Sequence, residues 1–315
     1  MHARESNCLA YTLPPALLPA LLPALLAWLL TMCVPASAQA QVEDAAALRA
    51  RLVTLREPLA NNQFQRPLYL QSAQQLGNLR GDIYAIVDQP FAIVGQAMQG
   101  THHWCDLLML HLNVKSCAAS NAPDNVLHVY VGRKFDQPLS AAYEVVFNYR
   151  VATSSADYVQ VRLNADVGPM STRNYRLALE AVPVDARRSF VHLSYSYAYG
   201  AAAGMAMRGY LATIGRDKVG FSIVGKTANG TPVYVDNLRG VLERNTMRYY
   251  LAIEAYLKAY SAPAPKQLEQ RLNDWYAATE RYPLQLHEME RNAYLAMKRR
   301  EIARQLVLAK AAAPG

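Results

Sequence analysis

From Leu79 the pattern of apolar and polar residues switches, and after the segment ending at Leu107 alternation takes over. Gly81 to Val87 reads as a strand, and Asp88-Gln89-Pro90 is a helix-start signal ahead of the apolar segment Phe91 to Leu107. Leu110, Leu112 and Val114 then alternate with His111, Asn113 and Lys115, the period-two pattern of a half-buried strand. The same period returns at Leu127, Val129 and Val131, and again from Tyr143 through Val145, Phe147 and Tyr149 to Val151, with Glu144, Asn148 and Arg150 on the other face. It recurs at Val159, Val161, Leu163 and Ala165, and at Tyr175, Leu177 and Leu179. In the last run Val191, Leu193, Tyr195, Tyr197 and Tyr199 point one way, and His192, Ser194 and Ser196 point to solvent. Gly168-Pro169 and Asp185 to Arg188 supply turns, so antiparallel hairpins are the economical topology.

Helical patterns flank this β region. Residues 41–78 read as a helical lead-in, with a peripheral helix over 44–56 closed by Pro58. After Gly200 the small residues and Met205 and Met207 suggest a helix over 201–214 that can lie close to a sheet. Residues 226–232, rich in Gly, Asn, Thr and Pro, read as a linker. Beyond it, 233–315 reads as an α-helical extension: a stripe from Leu238 to Leu257, a second segment from Lys266 to Glu280, and a last one from Pro283 to about Leu308.

The first forty residues change the cellular setting. An apolar run from Leu17 to Val34, interrupted by Pro19 and Pro23, leads to Ala36-Ser37-Ala38-Gln39-Ala40. This is the layout of a signal peptide over 1–40, cleaved near Ala40, with a membrane anchor as the competing reading. The expected location is periplasmic or secreted. Cys105 and Cys117 then remain as a pair in an oxidising compartment, where a disulfide is expected. The alternative for this region is a metal or catalytic site built from His102, His103, Cys105 and Asp106, whose spacing follows no established ligand pattern. The formal net charge of +8 suits anionic lipid headgroups or an acidic partner; export argues against nucleic acid. Much of the basic excess sits at Lys298, Arg299, Arg300 and Arg304, which read as a solvated helix face.

The order strand, helix, antiparallel strands, closing helix over residues 79–225 resembles the START-like superfamily, also called the polyketide cyclase, Bet v 1-like or SRPBCC group. The resemblance implies an α+β helix-grip fold: a curved antiparallel sheet wrapped around a long helix, with a cavity between them for a lipid, sterol, polyketide or other apolar ligand. The export signal, the cysteine pair and the helical extension depart from a minimal member. The closing helix in this reading is 201–214.

The residues point to a cavity without the family. Tyr143, Tyr149, Tyr175, Tyr195, Tyr197 and Tyr199 all fall on the inward strand faces, where each buried phenol needs a hydrogen-bond partner. A water- or ligand-bearing cavity is one solution; hydroxyls emerging at the sheet edge from an ordinary core is the other. The expected lining comprises these tyrosines with Trp104, Phe147, Met205 and Met207. No nucleophile elbow, zinc-protease motif or phosphate-binding glycine loop is present, so no catalytic residue, metal or cofactor is assigned. The leading expectation is an exported binding or carrier protein for an apolar or amphipathic small molecule. A non-catalytic envelope scaffold, contacting a protein or membrane surface through its basic helical tail, and a cyclase- or hydrolase-like enzyme are the alternatives.

Overall fold

The computed structural model describes residues 45–75, 77–120, 124–201, 204–205, 209 and 218–312, which fall within one compact unit. The expected leader, 1–40, lies outside the described residues, and so does Met207. Two helices, α1 (Ala45–Thr54) and α2 (Arg56–Ala60), precede an antiparallel pair, β1 (Leu68–Gln75) and β2 (Asn78–Val87). The segment from Phe91 is two helices, α3 (Phe91–Met98) and α4 (Thr101–Leu108). They break at Gly100, whose φ of 110° favours glycine. Six strands follow: β3 (Val114–Ala119), β4 (Val126–Val131), β5 (Tyr143–Ser154), β6 (Val159–Val167), β7 (Thr172–Pro183) and β8 (Ser189–Tyr199). All eight form one antiparallel sheet in the order β1-β2-β8-β7-β6-β5-β4-β3.

Of the expected closing helix, 201–214, only residues 201, 204, 205 and 209 are described, and among the described residues another helix closes the sheet. It is α5 (Asn237–Tyr260), which packs on β1, β2 and β8 and buries Leu238, Leu242, Met247, Leu251 and Ile253. In the other segment Met205 is 62% exposed. The stretch read as a linker is the tip of a hairpin between β9 (Ile223–Lys226) and β10 (Pro232–Tyr234). The end of the lead-in is not helical either, since β1 begins at Leu68.

The remaining helices, α6 (Ala264–Thr279), α7 (Pro283–Leu286) and α8 (Arg291–Ala312), are part of the same body and not an appendage. Trp275 of α6 and Tyr294 of α8 are buried with ring centroids 5.0 Å apart. Helix α8 reaches β3, where the expected alternation of Lys115 toward solvent fails. Lys115, Lys298 and Glu301 are all buried together: Lys115 Nζ lies 2.9 Å from Glu301 Oε1, and Lys298 Nζ lies 2.8 Å from Glu301 Oε2. Lys298 therefore leaves the solvated basic face, whereas Arg299 and Arg300 stay exposed and pair with Glu269 and Asp136.

The outer face of the sheet is also covered. Leu48, Leu55 and Leu59 of the N-terminal helices and the turn between them form a second core with Tyr84, Tyr158, Val182 and Phe190. Beneath it Gln160, Glu180, His192 and Tyr84 stand directly opposite one another across β6, β7, β8 and β2. His192, read from the alternation as solvent-facing, is consequently buried: its Nδ1 is 2.6 Å from Glu180 Oε1 and its Nε2 is 2.9 Å from Asp82 Oδ1. Tyr158 donates to Glu180 Oε2 at 2.6 Å, and the Tyr84 ring stacks on His192 at 4.1 Å.

Cys105 of α4 is bonded to Cys117 of β3, with Cα atoms 5.3 Å apart, inside the usual disulfide range. The bridge ties the end of the helical segment to the edge strand. Cys105→Ser is expected to lower stability by roughly 2–3 kcal/mol, the chain-entropy value for so short a loop. Thermal melts of the variant, with thiol alkylation of the unreduced parent protein, check both the size of the effect and its premise.

Candidate functional site

A cavity of about 530 Å³ lies between the sheet and α5. The sheet contributes alternate residues of β4 to β8, because period two sends Val129, Val145, Phe147, Leu163, Leu177, Tyr195 and Tyr197 to one face. The helix contributes Val241, Asn245 and Tyr249, spaced at four residues and therefore on one face of α5. Gly132, Arg133, Gln137, Ala141, Pro169 and Met170 come from the connections before β5 and before β7. Met170 is 58% exposed and marks the solvent side, while Leu108 and His111 of the lining are buried.

Aromatic rings run through this wall in one continuous strip. Phe147 meets Tyr175 edge-on at 6.4 Å, Tyr175 stacks on Tyr197 at 5.3 Å, and Tyr197 adjoins Tyr195 at 5.7 Å. Tyr195 then meets Tyr249 edge-on at 5.1 Å, and Tyr249 stacks on His111 at 4.8 Å. The Tyr175 hydroxyl is paired with Thr172 Oγ1 at 2.7 Å. Among the described residues, the hydroxyls of Tyr195, Tyr197 and Tyr249 make no hydrogen bond, although all three line the cavity. Burial raises the pKa of each of these phenols, so they remain protonated donors.

His111 sits in the turn before β3 and not on a strand, and it is buried. Burial first, and then the charges of Arg248, Lys298, Lys134 and Lys115, push its pKa well below the ordinary histidine range. The ring is neutral, and its Nδ1 accepts the Asn113 backbone N–H at 3.1 Å. The proton therefore resides on Nε2, which is buried and has no partner.

Of the residues expected to line a cavity, Phe147, Tyr175, Tyr195 and Tyr197 do so. Tyr149 is buried elsewhere: its hydroxyl accepts the Gly100 N–H at 2.7 Å, fastening the break between α3 and α4. Trp104 is likewise core, its Nε1 donating to the Met98 carbonyl at 2.8 Å. Tyr199 lies at the sheet margin, accepting a hydrogen bond from Gln74, and Tyr143 is 42% exposed at the first position of β5. Met205 is on the surface. The two readings of the tyrosine-rich face thus each hold for part of it.

His103 gives its Nδ1 to a hydrogen bond with the Tyr256 hydroxyl, and Asp106 pairs with Arg271 at 2.8 Å. With Cys105 bonded to Cys117, these groups do not converge. Among the described residues no cluster of three or more His, Cys, Asp or Glu is placed to hold a metal ion. His111, Asn245 and Tyr249 were not expected at the cavity. Tyr249 does belong to the apolar stripe of its helix, but nothing local says that this stripe faces the β domain. His111 was hidden by an apparent alternation that is a turn in the folded chain.

The antiparallel sheet with helices between β2 and β3 and a long closing helix is the arrangement expected from the element order, but the closing helix is α5, in the stretch read as the extension, and β1 lies before residue 79. The fold is an α+β helix-grip, an antiparallel sheet wrapped around a long helix. No family model and no curated protein matches the chain. Similar solved structures include human StAR-related lipid transfer protein 5, at 8% identity over 69% of this chain and 95% of that one, with a TM-score of 0.35. A START superfamily protein from Mycobacterium smegmatis is 9% identical over 44% of this chain and 95% of its own, with a TM-score of 0.30. The Zhui aromatase/cyclase from Streptomyces sp. R1128 is 12% identical over 68% and 95%, with a TM-score of 0.28. These likenesses concern the fold alone.

Proposed function

We propose that this protein is exported and binds an apolar or amphipathic small molecule, a lipid among the candidates, in the cavity between the sheet and α5, without transforming it. The observation that carries this reading is a cavity of about 530 Å³, within the roughly 300–1,000 Å³ range of small-molecule sites, walled by aliphatic and aromatic side chains with a few polar groups. Binding rests on apolar burial for affinity and on the tyrosine hydroxyls, Asn245 and His111 for orientation. The paired cysteines and the amino-terminal sequence motivate the export part of the proposal.

Native mass spectrometry of protein purified from its own envelope tests the reading, compared with Val131→Trp. Val131 is only partly buried and lines the cavity, so an indole there takes up ligand space at modest cost to folding. The parent protein is expected to carry a copurifying small molecule that the variant loses. A parent protein that repeatedly carries nothing, and takes up no apolar probe, overturns the proposal.

A further inference from the structure

The polar groups of the cavity include buried donors without partners. Among the described residues its lining includes no Asp or Glu. The His111 Nε2–H is a donor without a partner, and the Tyr195, Tyr197 and Tyr249 hydroxyls are donors that burial keeps protonated. Gln137, also in the wall, has a buried amide nitrogen with no partner.

The charge behind this wall has the same bias. The charges of four cations act on His111: Arg248, Lys298, Lys134 and Lys115. They share two carboxylates. Glu288 Oε1 lies 2.5 Å from Lys134 Nζ and 2.6 Å from Arg248, and Glu301 serves both Lys115 and Lys298. This leaves an excess of positive charge at the buried end of an otherwise apolar chamber, where the low dielectric strengthens its field. A cationic or donor-only headgroup finds neither an acceptor carboxylate nor a favourable potential there. An anionic acceptor finds both a free N–H and compensating charge, and hydrogen bonds to ionised groups are about twice as strong as neutral ones.

Resting on the carrier reading above, we infer that the ligand is an anionic amphiphile, a long-chain carboxylate or a molecule of the same chemistry. Its headgroup is received at His111 Nε2–H beside Tyr249, and its apolar chain lies along the aromatic strip toward Met170.

Calorimetric titration of the purified protein with dodecanoate, dodecanol and dodecylammonium, each below its micellar concentration, decides this. Dodecanoate is expected to bind about tenfold more tightly than dodecanol, with dodecylammonium weakest. His111→Leu is expected to reduce the carboxylate-to-alcohol ratio to about twofold or less, and His111→Gln, which keeps a neutral N–H donor, to retain most of it. Equal binding of dodecanoate and dodecanol, or tighter binding of the amine, overturns the headgroup inference and leaves the cavity reading standing. Failure of all three probes to bind overturns the cavity reading itself. A full preference surviving in a folded His111→Leu protein removes His111 from the site. The preference of the unaltered protein is decisive even where a variant does not fold.

Discussion

Glu301→Leu is expected to destabilise the protein by about 3–5 kcal/mol, the cost of breaking a buried ion pair by removing one partner. Glu301 is the shared carboxylate of Lys115 and Lys298, and all three side chains are withdrawn from solvent. The lysines cannot simply turn outward. Lys115 Nζ also donates to the Leu112 carbonyl at 2.9 Å and Lys298 Nζ to the Val114 carbonyl at 2.7 Å, so both are held over the start of β3. Removing the carboxylate leaves two ammonium groups in a low-dielectric pocket, and Lys298 already has a pKa lowered to about 8, chiefly by burial. Chemical denaturation of Glu301→Leu, set beside the triple change Lys115→Met, Lys298→Met and Glu301→Leu, checks the cause. The triple variant, having no charge to bury, is expected to recover much of the loss. If the single variant melts like the parent protein, the cluster is not what fastens α8 to the sheet.

Across the sheet, His192→Leu is expected to cost a similar amount, about 3–5 kcal/mol, because Asp82 and Glu180 lose the ring that lies between them. This network also predicts the acid limb of the stability profile. Burial alone would raise the pKa of Asp82, but hydrogen bonds from His192 and Arg80, together with their charges, outweigh it and hold the carboxyl down at about 2. A carboxylate with a lower pKa in the folded chain than in the unfolded one stabilises the fold fully above the unfolded value near 4. That contribution of about 2 kcal/mol is lost as pH falls from about 4 through 2. Urea denaturation between pH 5 and pH 2 is expected to show this loss in the parent protein. Asp82→Asn should be less stable at pH 5 and lack that share of the decline. An unchanged acid slope in the variant would assign the decline to other carboxylates.

The misplacements in the sequence reading share one physical origin. Period-two alternation tells which residues share a face, and β4 through β8 follow it closely: Val129, Val145, Leu163, Leu177 and Leu193 are all buried. Alternation does not tell what lies beyond either face. The outer side of β7 and β8 looks polar because Glu180 and His192 stand there, yet α1 covers it and the polar groups satisfy one another beneath the helix. Lys115 and His111 were read the same way and are buried for a related reason, Lys115 under the return of α8 across β3 and His111 beneath Tyr249 of α5. Helical periodicity has the same limit. Both 201–214 and the stripe from Leu238 to Leu257 call for an apolar partner, and only the packed chain shows that the second lies across the sheet.

The cavity illustrates the division at single residues. Phe147, Tyr175, Tyr195 and Tyr197 were legible as inward-facing because the strand period alone places them. Tyr149, on the same face as Phe147, is instead enclosed by the α3–α4 break and bonded to Gly100. Tyr143 stays exposed at the end of its strand. Whether an inward tyrosine meets a cavity or a neighbour depends on which helix lies above it, and that is a long-range contact.

The chain's local pattern by itself determined the β-rich centre, the antiparallel order of the strands from β4 to β8, and the amphipathic character of α5, since these follow from periodicity and turn chemistry within a few residues. The three-dimensional packing decided which helix closes the sheet, which polar side chains are buried, and which groups line the cavity. Those outcomes depend on desolvation and pairing between residues far apart in sequence, as when Lys115 meets Glu301 or His111 meets Tyr249.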